Sequence, residues 1–80
     1  QRYLFTGDTI MLGSDGDWVA GYIPPISDAA PLAQSLRVLA GLRPDLVISS
    51  AFPGDTAVHA PGGRWSECVR QARSRLAAVA

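Results

Sequence analysis

The chain has little of several things, and each scarcity narrows what it can be. One cysteine, Cys68, stands among 80 residues. That excludes an internal disulfide framework and a four-cysteine zinc site, and it favours a reducing compartment such as the cytoplasm. One histidine, His59, excludes any site built from several imidazoles of this chain alone. Net charge is absent, with seven basic and seven acidic residues. Nothing there selects nucleic acid or an acidic membrane as a partner. No apolar run is long enough to span a bilayer, and no basic start leads into an apolar core of a signal peptide. No G-x-G-x-x-G and no P-loop is present, so dinucleotide and triphosphate cradles are not expected.

What is present is ordinary globular material, 48% hydrophobic and 18% charged. Eighty residues make one small domain or a piece of a larger one. A domain this size buries roughly 60 to 65% of its unfolded surface, so its stability is marginal. The chain starts with Gln1 almost inside a strand, and the expectation is an excised piece of a longer protein.

Tyr3-Leu4-Phe5-Thr6-Gly7-Asp8-Thr9 organises the rest. A strand over 1–5 ends at a glycine and delivers a carboxylate to a loop. Chemistry in mostly parallel sheets sits beyond such strand ends. Asp8 reads either as an acid in a cleft or as a turn acid accepting from amides. Ile10-Met11-Leu12 is too short to classify. Residues 13–27 read as an ordered excursion, because Trp18, Val19, Tyr22 and Ile23 are costly to leave in water. Asp15 and Asp17 read as turn residues.

Ser27-Asp28 predicts a helix cap, and Pro31 is tolerated in the first turn. Leu32, Leu36 and Leu39 give the helix one apolar face. Gly41 predicts a left-handed stop. Leu46-Val47-Ile48 reads as a buried parallel strand ending in Ser49-Ser50. Strand, helix, strand is the βαβ pattern. Residues 56–63 read as loop, with His59 in it. The last helix has Trp65, Val69, Ala72, Leu76 and Val79 on its buried seam, with Cys68 beside that seam as a packing residue. The two strand ends place Asp8, Ser49, Ser50 and the loop carrying Asp55 and His59 at one sheet edge. Carboxylate and imidazole there are metal ligands or acid-base groups. His59 also reads as a plain surface histidine. Ser50 lacks the G-x-S-x-G setting of a nucleophile.

Leu4-Phe5-Thr6-Gly7-Asp8-Thr9, followed by a variable loop, a Leu-spaced helix, an Asp before an apolar strand and a final helix, resembles the second half of metallo-β-lactamase-fold hydrolases. The glyoxalase-type and general hydrolase branches are the nearest in pattern. The resemblance spans 1–80 and implies an α/β (α+β) fold, the C-terminal half of a four-layer αββα sandwich with at least two strands and two helices in this chain. It implies a cleft with two metal ions, usually zinc, bridged by the carboxylate at Asp8. A hydroxide between the metals attacks the substrate in such enzymes.

The chain departs from that pattern twice. The family's His-x-His-x-Asp-His motif is absent, and no Pro-Gly-His-Gly ends the second strand, where Phe52-Pro53-Gly54-Asp55 stands instead. Asp55 or His59 could compensate, leaving two, one or no zinc ions. A non-catalytic descendant with a degenerate centre is the alternative, and an unrelated small α/β domain is a third. Trp18, Tyr22 and Phe52 are candidate walls of a small-molecule pocket, or core residues. The expected partner is the N-terminal half of the same domain or a second copy, covering an apolar sheet face. No nucleic acid and no membrane partner is expected.

Overall fold

The computed structural model describes residues 1–13, 15–22, 28–51 and 56–79. They form a small mixed α/β domain with two helices and two small sheets. In chain order these are β1 (Tyr3–Gly7), β2 (Met11–Leu12), β3 (Trp18–Val19), α1 (Ala29–Ala40), β4 (Leu46–Ser49), β5 (Val58–His59), a 3₁₀ turn (Gly62–Arg64) and α2 (Trp65–Val79).

The expected parallel pairing of β1 and β4 is present, with Tyr3 opposite Leu46 and Phe5 opposite Ile48. The ladder slips between Phe5 and Gly7. There the Thr6 hydroxyl donates to the Ile10 carbonyl at 2.9 Å, which satisfies a buried polar group. The region expected to be loop over 56–63 contains a strand. β5 runs antiparallel to β4, making the sheet order β1-β4-β5. β2 and β3 form a separate antiparallel pair. Two-residue strands carry no period for a sequence pattern to reveal.

Strand side chains alternate between the two faces of a sheet. Leu4, Val47 and His59 therefore share one face, and Tyr3, Phe5, Leu46, Ile48 and Val58 the other. The first face carries the core, where Val47 packs with Ile10, Leu36, Trp65, Val69, Ala72 and Leu76. The second is open: Tyr3, Phe5 and Val58 are 57%, 72% and 50% exposed.

Both helices form where the apolar spacing predicts them. Asp28 caps α1, its carboxylate accepting from the Ala30 N–H at 3.2 Å. Gly41 ends α1 but not in the left-handed conformation expected of it, since its φ is −83°. The last turn instead tightens, with Gly41 N–H donating to Val38 and Leu42 N–H to Leu39. The Trp65 indole also donates to the Leu39 carbonyl at 2.9 Å, tying the start of α2 to the end of α1. Of the expected seam on α2, Trp65, Val69, Ala72 and Leu76 are buried, while Val79, the last residue of the helix, is exposed. No helix of the described residues is long and apolar enough to cross a membrane.

Candidate functional site

β1 carries Asp8 to the carboxyl edge of the sheet. Gly7 takes φ +53°, a conformation in which a side chain is strained. The turn closes by Thr9 N–H donating to the Thr6 carbonyl at 3.0 Å. β4 ends beside it, with Ser50 N–H donating to the Gly7 carbonyl at 2.9 Å. Asp8 and Ser50 thus stand at neighbouring strand ends, as the βαβ pattern predicts. The Asp8 backbone is held from the other side by Gly21, whose N–H donates to the Asp8 carbonyl at 2.9 Å.

The Asp8 side chain itself is exposed. Among the described residues, no hydrogen bond or ion pair reaches its carboxylate. A turn acid that accepted from local amides would show such bonds. Asp28 does show one, at the start of α1. Asp8 and Asp28 line one open depression of about 310 Å³, together with Thr9, Gly21 and Ser35.

His59 lies elsewhere. It faces the helices from β5, opposite Val47. Its ring meets Trp18 edge-on at 4.9 Å, and Trp18 meets Trp65 edge-on at 5.6 Å. Its Nε2 is 3.5 Å from the Ser49 hydroxyl, which donates to the Ser50 carbonyl at 2.9 Å. Burial pushes the imidazole below its ordinary value, and a backbone hydrogen bond at Thr56 pulls weakly the other way. His59 and Trp18 line a depression of about 850 Å³ with Arg64, Glu67 and Cys68. Among the described residues, it shares no lining residue with the depression at Asp8. Burial also pushes the Cys68 thiol up, which keeps it protonated and a poor nucleophile.

Of the other candidates, Tyr22 packs half-buried against the core. Asp55 and Phe52 lie outside the described residues. Among the described residues, no group of three His, Cys, Asp or Glu side chains could hold a metal ion. Zinc takes about four ligands in structural sites and three plus an open position in catalytic ones. The described residues do not supply such a shell by themselves, and Asp8 contributes one carboxylate.

A set of contacts from α2 to the β2–β3 connection has no counterpart in the sequence reading. Gln71 accepts from the Trp18 N–H at 2.8 Å and donates to Asp17 at 3.2 Å. Arg75 pairs with Asp15 at 3.2 Å and Asp17 at 2.8 Å. The only local signal was the four-residue spacing of Gln71 and Arg75, which puts them on one helix face.

No family model matches the chain, and neither a curated protein nor a solved structure matches it with significance.

Proposed function

We propose that this chain is one half of a metal-dependent hydrolase of the αββα sandwich type, with Asp8 as a zinc ligand. The observation that supports this is the Asp8 carboxylate, exposed and without a hydrogen-bond partner among the described residues, at the carboxyl edge of a parallel strand pair. A carboxylate left open at that place is suited to an incoming cation. The remaining ligands stand on a second, sheet-bearing segment, either the other half of the domain or another chain. That segment covers the open face around Phe5. The chain's own part in hydrolysis of a small-molecule substrate is to place Asp8, and it is inactive alone. Its setting is the cytoplasm, where the lone Cys68 stays free.

The test is metal content of the protein with both halves present. About one to two zinc ions per chain are expected, and Asp8→Asn should lose at least one. Unchanged metal in that variant overturns the role of Asp8. A second reading, a non-catalytic protein with a degenerate centre, draws support from the separation of Asp8 and His59 into different depressions. Metal-free protein before and after the substitution decides for it.

A further inference from the structure

The outer surface of the helix pair carries a feature that hydrolysis at the sheet edge does not use. α1 and α2 flank an open groove of about 590 Å³. Its apolar lining includes the buried Leu76, the half-buried Ala33 and the exposed Ala77, and Arg37 from α1 with Arg70 and Arg73 from α2 line it too. Among the described residues, no acidic residue lines it.

The three arginines are exposed. Among the described residues, the ion pairs engage Arg64 and Arg75 instead. Arg37 donates to Gln34 at 3.0 Å, a neutral acceptor, so its charge stays uncompensated. Glu67 is one turn from Arg70 but pairs with Arg64 at 3.4 Å. Arg70 and Arg73 are like charges one turn apart, an arrangement that disfavours an isolated helix. In a chain of zero net charge, this is a local excess of positive charge beside an apolar lining.

We infer that the groove between α1 and α2 docks an acidic amphipathic helix of a partner protein, whose carboxylates pair with Arg37, Arg70 and Arg73. Charge complementarity selects the acid. Every basic residue of the chain is arginine, and its planar fork matches a carboxylate with two parallel bonds. Shape selects the helix. Small lining residues let a third helix reach the usual axial separation of about 8 to 10 Å. α1 is about 18 Å long at 1.5 Å per residue, enough for three turns of contact. A bilayer is flat and would leave the groove unfilled. An apolar helix face fills it and keeps its acids beside the arginines. The inference is independent of the metal site, because none of these residues lines the Asp8 depression.

The probe is a labelled helical peptide about 18 residues long, with alanine and leucine on one face and glutamates flanking them. Fluorescence anisotropy follows its titration with the full chain. Saturable binding is expected at about 0.1 M salt, weakening about fivefold or more at about 1 M, where the screening length falls from about 10 to 3 Å. The Glu→Gln peptide and the Arg70→Ala, Arg73→Ala double variant should each bind about fivefold more weakly or worse. If the double variant loses its helical circular dichroism, Arg37→Ala makes the same comparison from α1. Absence of saturation, equal binding of the Gln peptide or undiminished binding by the folded variants overturns the inference. Binding to phosphatidylglycerol vesicles with none to the peptide also overturns it, in favour of a lipid surface.

Discussion

Gly21 and Asp8 approach so closely that a methyl group has no room between them. A Cβ on Gly21 would overlap the Asp8 carbonyl oxygen and come within 3.1 Å of its carbonyl carbon. Backbone cannot step aside as a flexible side chain can. Gly21→Ala should therefore cost about 1 to 3 kcal/mol, the range for overpacking. Gly63, with open space around it, is the control, and Gly63→Ala should be near neutral. Urea midpoints of the two variants check this. His59 supports a second residue-scale prediction. Its folded pKa is lowered, chiefly by burial, so the unfolded chain binds the proton more readily. Stability then rises with pH. The His59 contribution is intact above about 6.5 and declines as pH falls through the lowered folded value. The urea midpoint should drop between pH 7 and 5 in the parent and drop less in His59→Phe. The chain has no other histidine to confuse that window. Equal slopes would refute the assignment.

At the scale of elements, α2 holds the β2–β3 connection by polar bonds as well as by packing. Gln71 satisfies the Trp18 N–H and reaches Asp17. Gln71→Leu removes both, and about 1 to 2 kcal/mol should go with them. Arg75 is 44% exposed in its pairs with Asp15 and Asp17. Exposed pairs are weak and screened, so Arg75→Met should be the milder change, and its effect should fade at high salt. Denaturation of both variants at low and high salt separates the two kinds of bond. The Asp15 carboxyl is held below its ordinary value, first by the Asp17 backbone hydrogen bond and then by Arg75. These contacts join residues 53 to 60 apart in the chain; the spacing of Gln71 and Arg75 puts them on one helix face, but no local pattern announces their partners. The helices were legible for the opposite reason. Leu32, Leu36 and Leu39, and Trp65, Val69, Ala72 and Leu76, repeat at the period of the element they build. β1 and β4 were legible from short apolar runs ended by small polar residues. β5 was not, because Val58–His59 becomes a strand only through the partner it finds in β4. Placement of Asp8 at a strand end was readable from Phe5-Thr6-Gly7-Asp8. That His59 faces the helices was not, since the face depends on that same unannounced register.

Among the described residues, the β1-β4-β5 sheet has one covered face and one open. Helices lie on the Val47 side, while Tyr3, Phe5 and Val58 remain largely exposed on the other. Phe5 on β1, the half-buried Ile48 on β4 and Val58 on β5 form a continuous row, because Phe5 stands opposite Ile48 and Ile48 opposite Val58. Burying a side chain such as Phe is worth about 1.5 to 3 kcal/mol. An uncovered row of them favours association, and zero net charge gives little repulsion to oppose it. Under the half-sandwich reading, a second sheet occupies this face. Phe5→Asp puts a charge at the centre of that contact and leaves the helical side alone. It should reduce association of the chain with its covering segment, or with a second copy, by about tenfold or more. Its helical circular dichroism should match the parent. Multi-angle light scattering across concentration reads the mass, and analytical ultracentrifugation reads the affinity. A parent that stays monomeric with no covering segment bound, or a Phe5→Asp variant that associates as the parent does, would place the contact elsewhere. Arg70→Ala leaves this face untouched and should associate normally. The two surfaces, one apolar on the sheet and one basic between the helices, are thereby told apart in the same measurement.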